Sequence, residues 1–301
     1  MPTPTANTEV RQRVAPRSTA APCWLVVHEL QDLTAAALAQ ALHQHAAGQG
    51  VVVRSVPVPA LMAWVQWSLR IDHRGARCTL QAPAFALADG GWEVGPAGTP
   101  SPAPLAAVIN RSGPVALPGT VVDADYKSAE WSALLAAWLC GLTCPVINRP
   151  LPHRLHAALQ GPAAWRQAAA ARGLPVWAWK GDSVGWSGAA TGLAPAPAVA
   201  DETPGLLVVG QNVFEAPGPQ RPGWTAAAHG AAAQAAADCG CQLLAWLGRR
   251  NTRGHWCITG AAPWPDMRAF PPEAGQALAQ QLTGAAPAAR RPSPQRGPST
   301  P

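Results

Sequence analysis

The tetrapeptide Val-Ile-Asn-Arg occurs twice, at 108–111 and at 146–149. Between the copies, Trp131, Leu134, Leu135, Trp138, Leu139 and Leu142 recur at helical spacing, which puts them on one face of a helix. Ser128 is placed to cap its start, and Gly141 with Pro145 to close it. The pattern predicts a strand–helix–strand unit with parallel strands. Both Asn-Arg ends then share the sheet edge where open α/β sheets bind ligands. An Arg fork holds carboxylate or phosphate bidentately, so Asn110, Arg111, Asn148 and Arg149 form the candidate anion site. The alternative is structural: the asparagines satisfy backbone groups past each strand, and the arginines pair with Asp123 or Asp125.

The same unit is expected upstream. A strand at 24–28, a helix at about 33–47 ended by Gly48 and Gly50, and a strand at 51–56 make a βαβ start. A hairpin is expected from 64–71 and 76–81 around the turn 72–75, and a second turn at 88–91. A Pro-rich loop spans 96–104. Past the second Asn-Arg end, a helix at about 162–172 leads to Gly173-Leu-Pro175. Residues 180–204 read as a Gly/Ala/Pro/Ser linker. Order resumes with a strand at 206–214, a helix at 224–237, strands at 243–247 and 255–259, and a helix at about 273–282. The expected division is a disordered tail at 1–21, one domain at 22–178, a second at 179–286 and a disordered tail at 287–301.

The net charge of +6 is concentrated in the two tails. Arg11, Arg13 and Arg17 face only Glu9, and Arg290, Arg291 and Arg296 face no acid. A nucleic-acid binder carries its basic charge on a folded face, so no specific nucleic-acid binding is expected. Seven cysteines in apolar settings, none in a C-x-x-C pair, fit buried thiols in a reducing compartment. Neither His43/His45 nor His153/His156 has a zinc-site spacing. The polar, proline-containing start does not resemble a signal peptide. The longest apolar run is too short for a bilayer. A cytoplasmic protein without membrane association is expected.

Several short motifs occur in one order. Two strands end in Asn-Arg, and Asp123, Tyr126 and Glu130 open the helix between them. Arg172-Gly-Leu-Pro175 follows, then Leu207-Val-Val-Gly-Gln-Asn-Val-Phe214, and Pro263-Trp-Pro-Asp-Met-Arg268 comes last. This series resembles the ATP-grasp ligases, in particular the peptide-modifying, microviridin-type branch, over residues 22–285. The resemblance implies an α/β chain: a Rossmann-like preATP-grasp domain followed by a reduced ATP-grasp-like α+β domain. It also implies ATP and magnesium, and a peptide or small carboxylate as substrate. The family's small lobe after Gly-Leu-Pro has no counterpart of sufficient length between Trp179 and Leu206. Lys180, with Gly181 and Gly185, stands where that lobe's phosphate contacts would be. Aligned on the final strand, Thr259 and Ala261 occupy the two magnesium-ligand positions. Asp266 is the nearest acid and the candidate metal ligand, or else a turn-fixing residue.

Two functions follow from the resemblance. One is an ADP-forming carboxylate–amine ligase, in which Lys180 contacts phosphate, Arg111 and Arg149 hold the carboxylate and Asp266 assists the metal. The other is a degenerate, non-catalytic homologue acting as a binding or accessory subunit for a peptide or an enzyme partner. The tryptophans read as core residues, and Glu130 as a residue favoured by the helix dipole.

Overall fold

The computed structural model describes residues 21–64, 66–72, 75–81, 85–88, 91–94, 105–117, 119–151, 161–177, 202–218 and 224–284. The expected tails lie outside this set, apart from residue 21, as do the 96–104 loop and most of the 180–204 linker. The chain opens with β1 (Cys23–His28), α1 (Ala35–Ala46), β2 (Val52–Pro57) and α2 (Val58–Trp64). Two hairpins follow, β3 (Gln66–Asp72) with β4 (Gly75–Gln81) and β5 (Phe85–Ala88) with β6 (Gly91–Val94). Then come β7 (Leu105–Arg111), α3 (Ala124–Gly141), β8 (Val146–Ile147) and α4 (Pro162–Ala171). The last part holds β9 (Thr203–Val209), β10 (Asn212–Glu215), α5 (Ala226–Asp238), β11 (Leu243–Arg250), β12 (Trp256–Ala262) and α6 (Glu273–Gly284).

The first sheet is parallel, in the order β2-β1-β7-β8. The repeated tetrapeptide therefore does form two neighbouring parallel strands, with Val108 opposite Val146 and Ile109 opposite Ile147. Both faces are covered, as parallel sheets require. Trp24 and Val26 point to one face with α1, while Leu25 and Val27 point to the other with Leu135, Trp138 and Leu139 of α3. The second sheet is antiparallel, in the order β10-β9-β11-β12. Its outer face packs on α4 and α5 through Trp165, Ala169, Ala232 and Ala236. Its inner face, through Leu207, Val209, Leu243 and Ala245, joins α1, α6 and the first sheet in one core. α4 precedes the expected boundary at 178, yet it packs on the second sheet.

Three local expectations change. α3 starts at Ala124 behind Asp123, whose φ is 58°; Ser128 is not the cap. Ser128 sits inside the helix, donates to Ala124 O and accepts Leu117 N, while Ser132 accepts Val115 N. The two serines thereby tie the loop after β7 to the helix. The expected single strand at 206–214 is a hairpin, β9 turning at Gly210 (φ 60°) into β10. A glycine at the first turn position permits the positive φ that two-residue hairpin loops favour. The helix α2 had no expected counterpart. Toward one end of the second sheet, Gly205 of β9 and Gly248 of β11 leave room for the indole of Trp256 at the start of β12. A Cβ on either would collide with the indole of Trp256. No helix among the described residues is long and apolar enough to cross a membrane.

Candidate functional site

The sheet order places a switch point between β1 and β7. From there α1 packs on one face of the sheet and α3 on the other, the position at which such sheets open a crevice. Arg111 ends β7 there, opposite His28 of β1. Its side chain is fully buried and its donors are committed internally. Nε and Nη2 form a fork on Asp32, at 2.7 and 3.0 Å. Nη1 donates to Pro265 O at 3.1 Å, and Nη2 also donates to Thr34 Oγ1. Burial opposes ionisation of Asp32, but the Arg111 bonds and charge, with Thr34, hold its carboxyl below the usual range. The partner is thus Asp32 in the β1–α1 loop rather than Asp123 or Asp125. An Asp-x-Thr pattern just before α1 is the signal that names it.

Beside this pair, Glu29 Oε1 accepts Gly113 N and bridges the loops after β1 and β7. Burial raises the Glu29 carboxyl, against the opposing effects of the Gly113 N–H and His28.

Asn110 and Asn148 form the second layer. Asn110 Nδ2 donates to Asn148 O at 3.0 Å, and its Oδ1 accepts Ser112 N. Asn148 has φ 55° and is 1% exposed. Its Oδ1 accepts Gln242 N and Leu243 N at 2.9 and 3.0 Å, and its Nδ2 donates to Leu243 O at 2.9 Å and Pro263 O at 3.3 Å. The amide therefore acts as a strand partner for the start of β11. It fastens the end of the first sheet to the second.

Arg149 points back along α3. Nη1 donates to Leu139 O, Cys140 O and Leu142 O at 2.8–3.0 Å, and Nη2 to Cys144 O at 2.9 Å. The Leu139 and Cys140 carbonyls belong to the last turn of α3, where carbonyls lack intrahelical partners, and a cation there also suits the helix dipole. Arg111 and Arg149 are consequently held by different partners and do not converge on one anion.

Asp266 follows β12. Its carboxylate takes Arg268 Nε, Nη2 and backbone N at 2.7–3.1 Å. Those bonds, chiefly from the Arg268 side chain, hold its carboxyl below the usual range. It caps the short turn at Met267–Ala269. On β12, Thr259 is buried with Oγ1 unpaired among the described residues, and its carbonyl accepts Arg166 Nη1 at 3.1 Å. Magnesium takes oxygen ligands with carboxylate among them. Thr259 offers one hydroxyl, Ala261 none, and Asp266 is committed to Arg268. The described residues of β12 and its loop do not fit the ion. No group of three or more His, Cys, Asp or Glu among the described residues is disposed to hold a metal. Lys180, Gly181 and Gly185 lie outside the described residues.

A cavity of about 930 Å³ lies where β8, the β9–β10 turn, the end of α5 and α6 meet. Its polar wall is made of the amides of Gln211, Asn212, Gln242, Gln280 and Gln281, with Arg149 at one side. No carboxylate among the described residues lines it. Sequence reasoning passed over these residues because they are scattered through the chain and uncharged.

No protein-family model and no curated sequence matches the chain. Solved structures do. The macrocyclase MdnC from Microcystis aeruginosa MRC, bound with precursor peptide MdnA, aligns over 87% of this chain and 100% of its own, with TM-score 0.54 and 12% identity. The ATP-grasp ligase PsnB, complexed with precursor peptide PsnA2 and AMPPNP, aligns over 86% and 97%, with TM-score 0.51 and 15% identity. A RiPP-associated ATP-grasp ligase of Chryseobacterium gregarium, in complex with ADP and a leader and core peptide, aligns over 88% and 97%, with TM-score 0.52 and 8% identity.

Proposed function

We propose that this chain, whose fold is that of the peptide-modifying ATP-grasp ligases, binds a peptide and serves as a binding or accessory subunit rather than as a magnesium-dependent ligase. The observation that carries this reading is the commitment of its ionic residues. Arg111 belongs to Asp32, Arg149 to the end of α3, and Asp266 to Arg268. Acyl-phosphate chemistry needs fixed positive charge and metal where charge develops on the phosphates. Arg111, Arg149 and Asp266 serve the fold instead. The peptide part of the reading is supported by the fold, which the chain shares with proteins solved with precursor peptides.

A second reading, ligation of a peptide or small carboxylate with ATP and magnesium, is favoured by one observation. A ligase of this fold was solved with magnesium and ADP. In that reading Lys180, Gly181 and Gly185 hold the nucleotide. Isothermal titration separates the two. The accessory reading expects no saturable heat from millimolar ATP with magnesium. Saturable binding that requires magnesium and weakens in Lys180→Ala supports the ligase.

A further inference from the structure

We propose that the amide-lined cavity between the β9–β10 turn and α6 is the recognition site for an uncharged, extended peptide segment. The proposal rests on the peptide-binding reading and assigns that function a place. The cavity volume of about 930 Å³ is within the range of specific ligand pockets.

Its chemistry selects the ligand class. The polar wall offers side-chain amides, each carrying both donors and an acceptor, and no carboxylate among the described residues. Arg149, at one side, is already spread over four carbonyls. A cationic ligand would find no carboxylate among the described lining residues, and an anionic one would find the Nη donors of Arg149 already on carbonyls. A peptide backbone with neutral polar side chains matches amide for amide.

Two features point to an occupant. Gln281 Oε1 is buried and has no hydrogen-bond partner among the described residues. A buried acceptor left unpaired is unfavourable until a donor reaches it. The Gln281 amide lies over Gly210, where a Cβ would stand 2.8 Å from Nε2, so glycine at the turn makes room for it. In addition, β10 is the end strand of its sheet, and its first residue, Asn212, lines the cavity. An edge strand can take an extended peptide by main-chain pairing. Gln281 would then read the peptide from α6 while β10 holds its backbone.

The test is selection from a random 12-residue peptide library displayed on phage, with the full chain as bait. Enriched sequences are synthesised and their affinity is measured by fluorescence anisotropy. The expected result is uncharged sequences rich in amide and hydroxyl residues. Gln281→Leu and Asn212→Leu should each weaken their binding at least tenfold. Gln281→Leu should leave the melting temperature unchanged or higher, because it removes an unpaired acceptor. Binders that both variants hold as tightly as the parent protein overturn the site but leave the peptide reading standing. Failure to enrich any binder overturns both.

Discussion

Asn148 completes both backbone groups of Leu243: its Oδ1 accepts the N–H at 3.0 Å and its Nδ2 donates to the C=O at 2.9 Å. One side-chain amide at the end of β8 thus replaces a strand partner at the start of β11. It does so from a left-handed backbone position that asparagine tolerates better than most residues. Asn148→Gly keeps the backbone accessible and removes the amide. It should destabilise by at least about 2 kcal/mol, since several buried groups lose partners. Urea unfolding measures this. A loss within error of zero would mean that relaxation or water replaces the clamp.

The Arg111–Asp32 pair is buried, at 0% and 6% side-chain exposure. Arg111→Met strands the Asp32 carboxylate and should cost about 3–5 kcal/mol near neutral pH. Asp32 has a lowered carboxyl pKa in the folded protein. The wild-type pairing energy is therefore present above the unfolded aspartate pKa and lost as pH falls through the lower folded value. The gap between wild type and variant should shrink on acidification. Denaturant titrations at several pH values between about 2 and 7 check it.

Glu29 has the opposite sign. Burial raises its carboxyl, so ionising it works against folding. The stability it permits is greatest below the unfolded glutamate pKa and declines as pH rises through the higher folded value. Glu29→Gln retains an acceptor for Gly113 N. It should be neutral or stabilising at pH 7, with the advantage vanishing below about pH 4. A destabilising effect at pH 7 would mean that the charge itself holds the two loops together.

Arg149→Lys tests the helix-end assignment. One ammonium cannot reach four carbonyls as a planar fork does. The variant should melt at a lower temperature, and affinity for phosphate or acetate should not change. An affinity loss with intact stability would instead restore the anion site expected from the sequence.

Much of the fold was legible because it rests on short-range pattern. The repeated tetrapeptide and the helix between its copies predicted the parallel pair β7–β8, and the Val-Val-Gly run predicted β9. The hairpin at Gly210 was missed because 206–214 reads as one strand although Gly210-Gln211-Asn212 interrupt its apolar residues, and the positive φ at the glycine makes the split. The candidate site was legible in its residues but not in their partners. Asp32 meets Arg111 across 79 positions, and Leu243 meets Asn148 across 95. Such separations are set by packing of the two sheets on a shared core, which no local spacing encodes. The glutamines around the cavity carry no charge pattern, so nothing in the chain marked them.

The central claim is that the ATP-grasp fold here serves peptide binding without magnesium-dependent ligation. The most direct measurement is ADP formation by the full chain with ATP, magnesium and the peptides selected on it. The account predicts no ADP above a protein-free control while peptide binding persists. Peptide-stimulated ADP release that Lys180→Ala abolishes would contradict it.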